Sequence, residues 1–385
     1  MKEKREKIYL DYAAATPVRS EVLEAMQPYW QEKFANTQST HAAGQAAADA
    51  VTKARRTVAE VLSVQQSEIV FTSGATEANS LALLGVVRAA GKIKNPNIIV
   101  SEVAHGSVRY IRESYGDEIE IITVPVDVTG RLEVAVLEDL INDQTVLVSC
   151  SHANSEIGTI QPVAAIADAV KKYRTEQRGT YPLLHVDASQ SVLYETVRPE
   201  ALGIDLLTLN GQKMYGPKGV GMLWVRRGTP LASLFISSSR RQVGDYQRLR
   251  PGTPATPLIV GFADSLSWAA EHRQKHKKKV IAQRDNFISL LKDLFPDVII
   301  NGSQKNRIAH NISITFPDTD HDYLATRLDT LGIAVATTSA CQADKSHGSE
   351  ILKHLQQDEA IRISIGIETK RAELDSVLAV LEEIL

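Results

Sequence analysis

The sequence predicts an α/β protein with a large domain on a mainly parallel mixed sheet and a smaller α+β domain. Two observations predict this class: short apolar, β-branched runs alternate with helical patterns over most of the chain, and this pattern changes near Pro257. Strand–helix alternation favours parallel strands joined by right-handed crossovers. A length of 385 residues is also too long for one small core.

Seven runs before Pro257 have the composition of short strands. They are mostly apolar throughout instead of alternating, as expected of strands covered on both faces. Helical patterns at 77–91 and 163–179 lie between them, and the second ends in a basic turn and a glycine. The predicted strands are 67–73, 97–103, 119–126, 145–152, 182–189, 205–210 and 221–227.

The C-terminal third has a different pattern. A long helix is predicted from about Pro257 to Phe295, and its basic run "HRQKHKKKV" is expected to form a solvated face. Strands at 310–317 and 360–367 follow, and a last helix has an apolar face that includes Leu374 and Leu381. We expect a large domain at 16–263 and a small domain formed by 1–15 and 264–385.

Composition excludes several classes of function. The formal net charge of −3 gives no global basic field, so we expect no direct nucleic-acid binding. Two cysteines cannot form a disulfide framework, which favours a reducing compartment. Because the sequence also has no apolar run of about 18 residues and no secretory signal, we expect a cytoplasmic protein without a membrane span.

The stretch "FTSGATEANSLALL" has the pattern of a strand, a tight turn and a helix start. Backbone N–H groups at a helix start are unpaired, and the helix dipole favours an anion there. Gly74, Ala75 and Thr76 could therefore bind a phosphate. Taken alone, an ordinary helix cap and turn explain the same residues.

Two further residues follow predicted strands. Asp187 ends an apolar strand, where open α/β sheets place their ligand crevice, and a carboxylate there needs a cationic partner. Lys213 follows the next strand and precedes a glycine-rich turn, where a desolvated amine can form an imine. Individually they could be a cap and a surface lysine. A phosphate cradle, a carboxylate and a lysine together match the needs of pyridoxal 5'-phosphate (PLP).

With these motifs the chain resembles the cysteine desulfurases of the nitrogen-fixation and iron–sulfur-cluster type, within the class V aminotransferases. The resemblance covers nearly the whole chain in order and implies the PLP-dependent transferase fold (fold type I). Its motifs are "YLDYAAATPV", "NTQSTHAAGQAA", "FTSGATEAN", "HANSEIGTIQPV", "HVDASQS", "KMYGPKGVG", "RLRPGTPATPLIVGFADSL", "TTSAC" and "IRISIGIETKRAELD".

The resemblance implies a role for each residue around the PLP ring. Lys213 would hold the cofactor as a Schiff base and move the substrate's Cα proton. Asp187 would pair with the pyridine nitrogen, and Gln190 would bond the phenolic oxygen side. His105 would stack on the ring and assist proton transfer, although without the family it is a capping histidine.

The resemblance also assigns the phosphate, the substrate and the sulfur. Thr76 would bind the phosphate, and Thr253 would reach the phosphate of a neighbouring subunit, which implies a homodimer. Arg362 would clamp the substrate carboxylate with its planar fork, although alone it could be a strand-edge ion pair. Cys341, in a polar segment, would accept the sulfur because a reactive thiolate needs access. Cys150, in an apolar run, is expected to be a small buried residue.

Three of the expected cofactor contacts, Ser155, Asn210 and Gln212, depart from the family's usual residues. Asn154 and Ser155 stand where the family has two asparagines, so the contact to the ring oxygen falls on Ser155, with Asn154 able to compensate. Asn210 and Gln212 replace a Ser/Thr and a His, and both can still donate to the phosphate. The sequence "HGS" at 347–349 replaces "EPS".

The function implied is that of a cysteine desulfurase. It would convert L-cysteine to L-alanine, with the sulfur held as a persulfide on Cys341. A sulfur-acceptor protein in iron–sulfur cluster assembly or another sulfur-transfer pathway would take it up. The alternatives are a selenocysteine lyase, another class V aminotransferase, or a desulfurase-like binding subunit without catalysis.

Overall fold

The computed structural model describes residues 7–111, 119–235, 249–337 and 349–385, so Cys341 lies outside the described residues. The strands are β1 (Ile8–Tyr9), β2 (Ile69–Thr72), β3 (Asn97–Ser101), β4 (Glu120–Val124), β5 (Thr145–Ser151), β6 (Leu183–Asp187), β7 (Leu206–Asn210), β8 (Gly221–Val225), β9 (Ile299–Ile300), β10 (Asn311–Thr315), β11 (Ile333–Ala334), β12 (Ala336–Thr337) and β13 (Ile361–Ser364). The helices are α1 (Ser20–Met26), α2 (Pro28–Gln31), α3 (Ala42–Leu62), α4 (Ala75–Ala89), α5 (Gly106–Arg109), α6 (Val134–Leu140), α7 (Val163–Gln177), α8 (Thr256–Leu294), α9 (His321–Thr330), α10 (Glu350–His354) and α11 (Arg371–Ile384).

The main sheet has seven strands in the order β2-β8-β7-β6-β5-β3-β4. The pairs from β7 to β4 are parallel, whereas β8 is antiparallel to both β7 and β2. The carboxyl ends of β3, β5, β6 and β7 therefore meet at one edge, together with the start of β8. The predicted mainly parallel mixed sheet is confirmed.

All seven predicted strands belong to this sheet. Six of them are buried along most of their length, which agrees with their continuous apolar sequences. Strand β4 differs, because two of its five residues are exposed. Among the described strands it pairs with β3 alone and is an edge strand, so only part of its surface is covered.

A second sheet lies in the C-terminal part, with the antiparallel order β12-β13-β10-β9. The N-terminal segment joins this part of the protein, since β1 pairs in parallel with β11 and Asp11 forms a bridge to Ser364. Helix α8 begins with a proline in its first turn, which suits the unpaired amides there. The helix continues without a break through residue 263, where the sequence predicts a domain boundary. That boundary stays a prediction.

The basic run of α8 was expected to form a solvated face. This expectation was wrong for three of its residues, which contact other parts of the protein. Arg273 is 9% exposed and donates to the Val192 carbonyl, and Lys277 pairs with Glu195 at 2.7 Å. Lys279 donates to the Ile367 carbonyl at 2.6 Å. Long basic side chains can cover apolar surface and still place their charged ends on partners, which a charge pattern alone does not reveal.

Apolar helices are packed inside the protein. Helix α4 buries residues on nearly all sides, including Leu81 and Leu83, which are completely buried.

Cys150 on β5 is 2% exposed, as expected of a small buried residue. In the described ranges, no helix combines the length and apolar character that crossing a membrane requires.

Candidate active site

The turn before α4 brings a helix start to the edge where the parallel strands end. Gly74 has a φ of 157°, and a Cβ built on it would meet nothing within 4 Å. A Cβ on Gly221, at the start of β8, would lie 2.7 Å from the Gly74 backbone, so strand and turn approach closely. Open space above unpaired helix amides suits a phosphate. Thr76, in the first turn of α4, is exposed beside that space.

The segment that carries Thr253 is connected to the same helix start. Arg250 pairs with Glu77 at 3.1 Å, and Glu77 also accepts a hydrogen bond from the Ser73 amide at 2.6 Å. Burial raises the pKa of Glu77, but these hydrogen bonds and Arg250 outweigh it, so the pKa is lowered overall. Thr253 itself is exposed.

Asp187 is the last residue of β6, as predicted. Its Oδ2 accepts from the Asn79 amide and its Oδ1 from the Ser189 amide nitrogen, both at 2.9 Å. Both donors are neutral, and among the described residues Asp187 forms no ion pair. A half-buried carboxylate without a cation fits a protonated ring nitrogen.

Lys213 lies in a short 3-10 turn after β7. Its Nζ donates to the carbonyls of Ala13 and Ala14 at 2.6 and 2.7 Å. The Gln190 amide donates to the Ala13 carbonyl as well, at 3.0 Å. The N-terminal segment therefore brings Lys213 and Gln190 together next to Asp187.

His105 caps helix α5 and also faces this site. Its Nδ1 accepts from the Ser107 amide at 3.1 Å, which is the capping role that the residue alone suggests. The ring is reached by solvent, yet enough protein surrounds it that desolvation lowers its pKa; Lys213 lowers it further and Asp187 opposes this. The imidazole is therefore neutral near pH 7 and can accept a proton.

A hydrogen-bond chain connects His105 with Asp187, and sequence reasoning missed its middle members. The Ser107 hydroxyl lies 2.9 Å from His105 Nδ1, and Asn79 Nδ2 is 2.9 Å from both that hydroxyl and Asp187. Asn79 is completely buried. The available signal was an asparagine in the stretch "EANSLALL", just before the apolar part of the helix.

Arg362 lies on β13 and is 4% exposed. Its Nη2 pairs with Asp11 Oδ1 at 2.7 Å, and its Nη1 donates to the Ser155 carbonyl at 3.2 Å. Among the described residues, the buried Nε has no hydrogen-bond partner. That N–H is available to a carboxylate.

Asn154 has a structural role. Its Oδ1 accepts from the amides of Glu156 and Ile157 at 2.8 and 2.9 Å, and its Nδ2 donates to the Val103 carbonyl at 2.8 Å. These bonds fix the turn that contains Ser155. Ser155 itself is partly exposed. Contacts from Asn154 or Ser155 to the cofactor stay predictions.

Asn210 precedes the lysine turn and Gln212 lies within it, and both residues are partly exposed. Asn210 ends β7 opposite Gly221, and the Gln212 carbonyl accepts from the Thr16 amide at 2.9 Å. Asn210 therefore lies near the Gly74 turn, because a Cβ on Gly221 would lie 2.7 Å from the Gly74 backbone. Contacts from Asn210 and Gln212 to the phosphate stay predictions.

A separate groove lies at the opposite edge of the main sheet and contains none of the predicted residues. It encloses about 750 Å³ near the start of β6 and the end of β8. Its buried carboxylate, Asp205, is already paired with Arg174 at 2.9 Å and Arg226 at 3.3 Å. In the part of the chain that the structure describes, no group of three His, Cys, Asp or Glu side chains is placed to hold a metal.

The site is thus a lysine, an uncompensated carboxylate and an open helix start at the carboxyl edge of a mainly parallel sheet, the arrangement of a PLP-dependent enzyme of fold type I. The chain matches the class V aminotransferase family over residues 8–377 and belongs to it. Its cofactor is PLP. Gly74 to Thr76 would hold the phosphate, Asp187 the ring nitrogen and Lys213 the aldehyde.

One named relative and two solved structures are similar to this chain over nearly its whole length. Cysteine desulfurase IscS of Dictyoglomus turgidum is 35% identical over 390 residues, covering 99% of this chain and 95% of the relative. A solved NifS-like protein has a TM-score of 0.87 at 32% identity, covering 98% of this chain and 99% of that one. The structure titled SspA in complex with cysteine has a TM-score of 0.74 at 30% identity, with coverages of 93% and 98%.

Buried histidines make stability depend on pH. Burial, with Lys277 nearby, lowers the pKa of His152 to about 4, and burial, with Arg362 nearby, lowers that of His310 to about 3. In the unfolded chain both titrate near pH 6.5. Below that pH the unfolded state binds protons that the native state does not, so acidification favours unfolding.

We therefore expect the free energy of unfolding to fall between about pH 6.5 and pH 4, by up to about 1.4 kcal/mol per pH unit for each of these histidines. Urea denaturation at a series of pH values measures the slope. A His310→Phe variant keeps a ring against Tyr194, on which His310 stacks at 5.0 Å. Its slope should be smaller, and an unchanged slope would contradict the assignment.

Proposed function

We propose that this protein is a cysteine desulfurase that converts L-cysteine to L-alanine and transfers the sulfur to Cys341. The observation that carries the proposal is the placement of Lys213, Asp187 and Arg362. An amine, a carboxylate for the ring nitrogen and a buried guanidinium with an open N–H suit an α-amino acid bound at PLP. The similarity to cysteine desulfurases supports this choice of amino acid.

Arg362 and Lys213 act on neighbouring groups of the substrate in this proposal. The guanidinium would bind the α-carboxylate, and the lysine amine would take the proton from Cα. When bound, PLP delocalises the negative charge that forms at Cα. Asp187 favours this by keeping the ring nitrogen protonated, and neutral His105 accepts or returns a proton beside the ring.

Cys341 supplies the nucleophile. Its thiolate attacks the substrate sulfur, an S–S bond forms as the substrate's C–S bond breaks, and the carbon gains a proton to become alanine's methyl group. Cys341 is four residues beyond Thr337 in sequence, and a chain of that length spans at most about 14 Å. Thr337 pairs in register with Ile361, the neighbour of Arg362, which supports Cys341 as the partner of this site.

The persulfide implies an acceptor protein, and iron–sulfur cluster assembly is the pathway that we propose for it. We place the reaction in the cytoplasm, where thiols stay reduced. We also propose a homodimer in which Thr253 reaches the partner's phosphate. Thr253 is exposed, and the Arg250–Glu77 ion pair connects its segment to the start of α4. Both observations support that role.

The proposed function is tested by measuring alanine and sulfide from purified protein given L-cysteine and a reducing thiol. Equal amounts of alanine and sulfide are expected. Alanine formed only with an added 2-oxo acid would indicate an aminotransferase, and release from selenocysteine alone would indicate a selenocysteine lyase. A colourless protein that forms neither product would indicate a binding subunit.

Replacing Asp187 with asparagine should lower the rate of alanine formation at least about 100-fold, equivalent to about 2.7 kcal/mol. The substitution keeps the side chain's shape but removes the charge that holds the ring nitrogen protonated. Alanine formation at saturating cysteine measures the effect, with cofactor content determined separately. Asp168→Asn, at an exposed carboxylate of the opposite groove, is the matched control and should be unaffected. Equal rates for the two variants would contradict the role of Asp187.

A further inference from the structure

An acidic side chain holds the buried guanidinium of Arg362 from one side. Asp11 Oδ1 lies 2.7 Å from Nη2, and the two side chains are 22% and 5% exposed. The Ser155 carbonyl holds Nη1 from another direction. The guanidinium is thus oriented before a substrate binds, and its buried Nε has no hydrogen-bond partner within the ranges that the structure describes.

The backbone explains why Asp11 reaches Arg362. Asp11 forms a parallel bridge with Ser364, and the Ser364 amide donates to the Leu10 carbonyl at 2.7 Å. The Ser364 hydroxyl accepts from the Ala13 amide at 2.9 Å. Because side chains two residues apart point to the same face of a strand, Arg362 and Ser364 both face the N-terminal segment.

The same short segment also holds the lysine. Ala13 and Ala14, two and three residues after Asp11, supply the carbonyls that bind Lys213 Nζ. Residues 11–14 therefore fix the amine-binding end and the carboxylate-binding end of the site relative to each other. In an α-amino acid the amine and the carboxylate share one carbon, so this spacing decides whether both ends bind at once.

We propose that Asp11 is a positioning residue that makes the site selective for amines carrying an α-carboxylate. It acts through Arg362, whose flexible side chain would otherwise lose rotamer freedom when the substrate binds. It also supplies the counter-charge that a buried guanidinium requires. The inference rests on the proposed function, because it concerns the carboxylate of the same substrate.

The test compares L-alanine, which has the carboxylate, with ethylamine, which lacks it, as ligands of the PLP-loaded protein. Binding is followed by the change in cofactor absorbance. Asp11→Ala should lower the ratio of the two affinities at least about tenfold, the expected effect of losing one hydrogen bond to a charged group. The affinity for ethylamine and the absorbance of the free protein should stay unchanged. Asp11→Asn keeps an acceptor oxygen for Nη2 and should retain most of the ratio.

Asp11→Glu is the second variant, and it also serves if Asp11→Ala does not fold. It keeps the charge but moves the carboxylate by one methylene, so the ratio should fall as well. Equal weakening of both ligands would overturn the proposal in favour of a general structural role. Tighter alanine binding would overturn it in favour of an Asp11 that competes with the substrate. Neither ligand transfers sulfur, so wild-type protein that binds alanine but releases no sulfide from cysteine would refute the proposed function alone.

Discussion

A Lys213→Ala variant should lose the absorbance of the lysine-bound cofactor, and its desulfurase rate should fall at least about 1,000-fold. Lys213 is the amine at the carboxyl edge of the main sheet, within electrostatic reach of His105. Alanine has no group that can hold the aldehyde or take the Cα proton. Absorbance spectra and alanine formation from L-cysteine measure the two losses.

Lys218→Ala is the matched control for this substitution. Lys218 is an exposed lysine five residues downstream in the same glycine-rich turn. It should keep the absorbance and the rate, because its amine lies on the surface. A Lys213→Ala variant that resembles the Lys218→Ala variant in both measurements would contradict the role of Lys213.

A Cys341→Ser variant should keep the cofactor absorbance but release no sulfide above background from L-cysteine. The thiolate is the nucleophile in sulfur transfer, and a hydroxyl at the same position is almost fully protonated at neutral pH. The first steps at Cα do not use this thiol, so substrate binding should still change the absorbance. Sulfide assays and spectra taken on the same samples separate the two stages.

Cys150→Ala is the control for the second cysteine. Burial raises the pKa of the Cys150 thiol to about 12, so it forms no thiolate at neutral pH. This variant should keep full sulfide release. Loss of release in Cys150→Ala together with retention in Cys341→Ser would show that sulfur takes a different route.

Apolar periodicity and strand–helix order were sufficient to predict the main sheet. Runs such as 145–152 and 182–189 are buried on both faces, so their sequences have little freedom to vary in polarity. Edge strand β4 and the basic run of α8 follow the pattern less well, because their side chains combine exposed and buried parts. Short strands such as β9, β11 and β12 depend on long-range pairing, which local sequence does not encode.

The site was predictable where a residue's chemistry and its place in a motif agree. Asp187 and Lys213 lie at strand ends, as the order of strands required. Asp11 and Asn79 were missed, because their roles arise from contacts with residues 351 and 108 positions away. Asn154 has a structural role that the motif did not indicate, since its side-chain amide holds the turn at 155–157; its contact to the cofactor stays a prediction.

Mass spectrometry of the protein after incubation with L-cysteine tests the central claim most directly. The account predicts a gain of one sulfur atom, removed by a reducing thiol and localised to the peptide that contains Cys341. A matched sample without cysteine should show no gain. An unmodified Cys341 peptide from protein that is forming alanine, or sulfur carried only on the Cys150 peptide, would contradict the account.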